Sequence, residues 1–195
     1  MTAGRERADA ARNREAILTA AADLFDRTDA GTVSMNDIAE AAGVGKGTLF
    51  RRFSDRGALI EAVLARRATA LLRSEKDPTP ANDPTEPGPA LLAYLDDLLD
   101  FVWANRSLIR ALDHSGPNGY YTSPASRHWT AELTRRVAAA RPGVDADYFG
   151  HILYTAVRAD AVDYLHTARG MPLDRIRAGL HALALPAHAE QPARI

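Results

Sequence analysis

Residues 34–53, Ser-Met-Asn-Asp-Ile-Ala-Glu-Ala-Ala-Gly-Val-Gly-Lys-Gly-Thr-Leu-Phe-Arg-Arg-Phe, constrain this chain more than any other stretch. Ser34 followed three residues later by Asp37 fits a capping box, in which a hydroxyl and a carboxylate each satisfy a free N–H at a helix start. Met35, Ile38, Ala39 and Ala42 then recur at the 3.6-residue period, so one face of a short helix can be buried. Gly43 ends it, because glycine enters the left-handed region at the C′ position without a Cβ clash. A second helix follows almost at once. Leu49, Phe50 and Phe53 are predicted to point inward, leaving Lys46, Gly47, Thr48, Arg51 and Arg52 outside or at its start. Two short helices and so tight a turn make a helix-turn-helix, with the second helix arranged to enter a major groove by its N-terminal end.

The flanking sequence supports such a head. Asp9 to Arg27 places Ile17, Leu18, Ala21, Leu24 and Phe25 at helical spacing, with Arg14, Glu15, Asp23 and Asp26 toward water. Thr28 to Thr32 is a loop, and Val33 can staple onto Ile38. After Phe53, Ser54 or Asp55 caps a longer helix predicted from Arg56 to about Lys76. Asp77 to Pro89 holds five prolines in thirteen residues, which cannot continue a helix and read as a mobile linker.

Beyond it the pattern is helical throughout. Ala90 to Asn105, Arg106 to Asp113, Ser126 to Ala140 and Asp145 to Arg169 are the predicted helices, the last the longest; Ser115 to Pro124 is a loop. Gly170 terminates the long helix, Pro172 stands as an N1 proline, and Leu173, Ile176, Leu180 and Leu183 form one final apolar face. The chain reads as all-α. Residues 1–55 are expected to form a three-helix domain carrying the helix-turn-helix, 56–76 to connect it, and 77–195 to form a helical bundle, to which the family resemblance described next assigns ligand binding and dimerisation.

Between Thr32 and Leu59 the residues closely resemble the DNA-binding domain of the TetR family of transcriptional regulators. The family's pattern runs Thr-Val-x-x-Ile-Ala-x-x-Ala-Gly-Val-Ser-x-Gly-Thr-Leu-Tyr-x-x-Phe, and spacing and residue types agree with it over about the first third of the chain. Two positions depart from it. Phe50 stands where relatives commonly have a tyrosine whose hydroxyl meets a phosphate, so its ring is expected in the core. Gly45 replaces a serine or threonine and removes a cap. The resemblance implies a homodimeric, ligand-responsive regulator, most simply a repressor on a palindromic operator, with a small-molecule effector held in the helical body.

The chemistry of the residues assigns roles within that frame. Lys46 and Thr48 are placed for base edges, Gly47 for close backbone approach, and Thr32, Ser34, Arg52 and Arg56 for phosphates, with Arg51 on the same outer side. Arg5 and Arg7 could reach a minor groove as a flexible arm or belong to an ordinary solvated tail. In the body, Trp103, His114, Tyr121, Trp129, Phe149 and Tyr154 are candidates to line an effector cavity, although aromatics fill cores more often than ligand sites and most of these are expected in the core. The last two helices could pair with those of a second copy or spend their apolar stripe within the chain.

Charge and composition bound the alternatives. The net charge is −1, with 13 basic and 11 acidic residues in 1–76 against 11 and 14 in the remainder, so groove contact must come from local placement. With no cysteine there is no disulfide framework, thiolate metal site or cysteine nucleophile. Neither a secretory h-region nor a membrane-spanning run is present, and a cytoplasmic location is expected without membrane partners. Asp113-His114-Ser115 has triad residue types, but sequence neighbours do not converge as a triad does. Asp147 and His151 share a helix face, but two ligands fall short of a metal site. No enzyme activity, cofactor or metal is expected. The competing class is a helical sensor or interaction module that binds DNA weakly or not at all.

Overall fold

A computed structural model of the chain describes the backbone of residues 2–28, 30–74, 85–112, 121 and 123–186, and their side chains except at 2–7 and 70–74. Every regular element among these residues is helical: α1 (Thr2–Arg27), α2 (Met35–Ala41), α3 (Lys46–Arg52), α4 (Arg56–Ser74), α5 (Pro87–Ala104), α6 (Arg106–Ala111), α7 (Pro124–Ala140), α8 (Ala146–Ala156), α9 (Ala159–Asp163), a π-helical turn (Tyr164–Ala168) and α10 (Leu173–Ala184). The chain divides into a head, Met1–Thr69 with Ser107–Asp113, and a body, Ala70–Arg106 with His114–Ile195.

The head is built on one apolar cluster. Ile17, Leu18, Ala21 and Phe25 of α1, Ile38 and Ala39 of α2, Leu49 of α3 and Leu59, Ile60 and Val63 of α4 are all buried in it, together with Val33 and Phe53. Each large side chain so buried contributes roughly 1.5–3 kcal/mol. Val33 and Ile38 lie in the same cluster, as a staple requires. Leu108 of α6 joins them, a contribution from far along the chain that local periodicity does not announce. At the surface, Arg67 of α4 reaches Asp26 of α1 at 2.7 Å and Arg66 donates to Thr19 Oγ1 at 3.0 Å. Asp55 caps α4 by accepting from the Ala58 N–H at 2.9 Å.

In the body, α5 supplies the largest apolar face, burying Leu91, Tyr94, Leu95, Leu98, Leu99 and Val102. It packs on α7 and α10. Arg177 of α10 bridges Asp96 and Asp100 of α5 at 2.9 and 2.7 Å, and His181 meets Asp96 at 2.7 Å. Inside, the nearly inaccessible Arg136 pairs with Glu132 at 2.8 Å and covers the Tyr94 ring at 4.1 Å. Burial pushes the Glu132 carboxyl up, but the hydrogen bond from Arg135 and the charge of Arg136 outweigh it and hold the group low. A buried arginine is tolerable only with such partners.

Five expectations are corrected. Helix α1 begins at Thr2, so Arg5 and Arg7 lie on a helix rather than a flexible arm; alanine, arginine and glutamate in this segment are strong helix formers. Helix α5 begins at Pro87, not Ala90, because a proline costs nothing in a first turn whose N–H groups have no intrahelical partner. The long helix from Asp145 to Arg169 is interrupted. Thr155 Oγ1 bonds back to the His151 carbonyl at 2.8 Å, Arg158 turns extended at ψ 138°, and Asp160 restarts the helix, accepting from Ala161 N–H and from the Arg158 guanidinium. In α10, Leu183 is exposed and Ala184 takes the buried position. Gly170, at φ +63°, does end this region as expected, while Pro172 sits one position earlier, at the N-cap. The predicted linker 77–84 and the loop residues 115–120 and 122 lie outside the described residues.

The α7–α8 contact depends on Gly150. A Cβ there would meet the Thr134 backbone N and Cα at 2.8 and 2.9 Å, whereas one at Gly179 of α10 would meet nothing. Gly150→Ala is therefore expected to lose about 3 kcal/mol, at the upper end for overpacking. Gly179→Ala should gain about 0.5–1 kcal/mol from helix propensity alone. Urea unfolding of the two variants measures this opposition of sign.

Candidate nucleic-acid interface

The turn between α2 and α3 is fixed by backbone hydrogen bonds. Ser34 Oγ accepts from the Asp37 N–H at 3.2 Å while Asp37 Oδ2 accepts from the Ser34 N–H at 2.9 Å, the reciprocal box expected of this spacing. Hydrogen bonds from Ser34, its backbone N–H first and its side chain second, hold the Asp37 carboxyl below its usual range. At the other end Gly43 adopts φ +64°, its N–H donates to the Glu40 carbonyl at 3.0 Å, and the Val44 N–H donates to Ala39 at 3.0 Å. This paired closure is a Schellman motif, which needs a left-handed residue at C′.

Helix α3 starts two residues later, with Gly45 as an N-cap that offers no side chain. Its rotation is set by Leu49 and Phe53, one turn apart, at 0% and 3% exposure. The Arg14 guanidinium lies over the Phe53 ring at 4.7 Å. With these two positions inward, 100° per residue turns Gly47 and Arg51 to the opposite side, while Lys46, in the first turn, and Arg52, in the last, border the inward face; all four are exposed. Thr48 is half-buried and its Oγ1 accepts from Arg51 Nη2 at 3.2 Å. A Cβ at Gly47 would meet nothing, so that backbone is open to close approach.

Thr32 and Ser34 are exposed just before α2, and the Ser34 side-chain oxygen serves the cap. Arg56 differs from its expected role. Its Nε donates to the Val33 carbonyl at 3.2 Å and its Nη2 is buried without a hydrogen-bond partner, so the side chain holds α4 to the segment leading into α2. Phe50 is the clear correction: its ring is 50% exposed rather than core. The helical wheel contains the reason, since Phe50 stands 100° from Leu49 while Phe53 returns to the same face.

The body candidates do not form one constellation. Trp129 and Tyr154 are buried on the α7–α8 seam, where the Tyr154 hydroxyl donates to Ser126 Oγ at 2.8 Å, and Ser126 lies one turn before Trp129. Phe149 packs elsewhere, under the Arg141 guanidinium at 4.2 Å. Trp103 is held between Arg106, 3.9 Å from its ring, and the edge of His166 at 4.5 Å. Tyr121 is exposed near Arg158, and His114 lies outside the described residues. His151 Nδ1 is 2.8 Å from the Asp147 carbonyl oxygen, on the surface.

Residues 17–63 match the family model of bacterial regulatory proteins of the tetR family. An HTH-type transcriptional regulator of Staphylococcus aureus is 33% identical over 107 residues, which are 55% of this chain and 57% of the relative. Another from that species is 30% identical over 112 residues, 57% of this chain and 59% of the relative. The chain thus spans somewhat over half the length of these curated relatives. A solved TetR-like transcriptional regulator from Rhodococcus sp. RHA1 aligns with a TM-score of 0.59 at 21% identity, covering 88% of this chain and 93% of that one. At that identity the likeness shows the shared helical fold.

The capping box makes a specific acid dependence. Because the Asp37 pKa is lowered by folding, its contribution is present above the ordinary carboxylate pKa and lost as the pH falls through the lower folded value. Asp37→Asn should melt below the parent at pH 7 and converge with it once the pH is well under about 3.9. Thermal unfolding of the full chain across pH checks this, and Ser34→Ala should cost about 1 kcal/mol at neutral pH.

Proposed function

From the premise that this chain belongs to the tetR family of bacterial regulatory proteins, we propose that it is a ligand-responsive, sequence-specific DNA-binding regulator, a repressor acting as a homodimer on a palindromic operator. The observation that carries the reading is the outer surface of α3. It holds Lys46, Arg51 and Arg52, all exposed, and no acidic residue, on a helix whose rotation the buried Leu49 and Phe53 determine. In this reading Lys46 and Thr48 address base edges, Gly47 admits close backbone approach, Arg51 reinforces Thr48, and Thr32, Ser34 and Arg52 fix register on phosphates. Arg56 contributes by bracing α2.

Two copies are required because one such head covers a half-site, and two heads about 34 Å apart meet successive turns of a duplex. Exposed Tyr148 of α8, Tyr164 of the π-helical turn and Leu183 of α10 support pairing through the late helices. An effector bound in the body, where Ser126, Trp129 and Tyr154 combine hydroxyls with apolar surface, would favour the conformer with the wrong head spacing. It can shift that equilibrium only by its differential affinity for the two conformers. Helix α4 runs on from Thr69 to Ala70, where head and body divide, and is one covalent route for the coupling.

The test is duplex binding against salt. The full chain should select a two-fold symmetric duplex from random-sequence DNA, and its affinity should fall steeply and log-linearly as salt rises from 50 to about 200 mM. Lys46→Ala should weaken binding about tenfold while leaving the melting temperature unchanged. An absence of duplex binding even in dilute buffer would favour a helical interaction module instead.

A further inference from the structure

Phe50 is a large apolar ring held out into water on the helix that carries the proposed groove contacts, and nothing in the roles above uses it. It lies one turn after Lys46 and three residues after Gly47, on the flank that these two share. Its 50% exposure follows from Leu49 and Phe53 taking the inward positions, so packing in the head does not account for the choice of an aromatic residue here. A phenyl ring has no hydrogen-bonding group, so against a phosphate it would strip water and return nothing. The apolar group that a major groove presents to such a ring is the 5-methyl of thymine, which distinguishes thymine from every other base in that groove. The surrounding charge suits the same occupant, as α3 has three basic residues and no acidic one.

We propose that Phe50 is a specificity-determining residue that reads a thymine 5-methyl group in each half-site, next to the bases addressed by Lys46. This rests on the reading of α3 as the groove helix. The half-exposed ring can be truncated without opening a cavity, so the substitution tests recognition rather than folding.

The experiment uses a duplex recovered from random-sequence DNA by the full chain, remade with deoxyuridine in place of thymidine one symmetric pair at a time. At one pair of positions, loss of the methyl should weaken the parent protein about fourfold per half-site, the equivalent of about 0.8 kcal/mol for one buried carbon. Phe50→Ala should bind both duplexes with the weaker affinity, and Phe50→Leu should retain part of the difference. Unchanged thermal unfolding of both variants confirms that the head is intact. Equal affinity of the parent for thymine and uracil duplexes at every position would overturn the proposal while leaving DNA binding itself in place. So would a thymine preference that survives in Phe50→Ala, or a selected duplex without thymine in its half-sites. Failure of the parent to bind any duplex would instead overturn the functional reading, and this proposal with it.

Discussion

The burial of Leu49 and Phe53 in the head is the contact on which the functional geometry depends. A seven-residue helix has too few hydrogen bonds to be stable alone, so α3 exists because tertiary packing holds it. Two inward side chains one turn apart also leave it a single rotation. That rotation leaves Gly47 and Arg51 opposite the core and Lys46 and Arg52 exposed at its borders, so the packing that folds the head also fixes what it displays. The Schellman closure at Gly43 and the capping box at Ser34 complete the constraint by setting where α2 ends and begins relative to α3.

The body is organised differently, around charge as well as apolar surface. Its α5 face is a continuous apolar stripe, but Arg136 enters the interior on the strength of Glu132 and the Tyr94 ring, and α10 is fastened to α5 through Asp96. Asp97 sits among these carboxylates; burial, then Asp100 and Asp96, push its carboxyl above the usual range. Such a layout places polar groups inside a helical bundle, where each must find a partner. The hydroxyls of Tyr154 and Ser126 do so with each other. An effector that entered beside them would have to replace that hydrogen bond with one of its own.

Where local chemistry decides structure, the chain could be read directly. Gly43 at positive φ, the Ser34–Asp37 box, the start of α8 at Asp145 and the four outward residues of α3 each follow from a few adjacent residues. Long-range packing was less legible. Leu108 belongs to the head core although it lies beyond the proline-rich segment, and no periodicity reveals which cluster a helix face will join. The break at Arg158 turns on a competition between Thr155 and Asp160 side chains and the continuing helix, in a stretch whose apolar spacing hardly falters. Phe50 was misplaced for a simpler reason: an aromatic residue between Leu49 and Phe53 invites burial, but on the wheel it falls on the flank of the inward face, where it is half exposed. The body aromatics illustrate the limit for sites, since residue type brought together Trp103, Trp129, Phe149 and Tyr154, of which the fold keeps Trp129 and Tyr154 on one seam and gives Trp103 and Phe149 contacts of their own.

The central claim, that α3 meets DNA by its exposed basic surface, can be read from the chemical reactivity of one side chain. The chain has two lysines, Lys46 and Lys76, so acylation followed by mass spectrometry reports on α3 with an internal reference. With a selected duplex bound at low salt, Lys46 should lose most of its reactivity while Lys76 keeps its own. Undiminished labelling of Lys46 in a complex that demonstrably holds DNA would contradict the account.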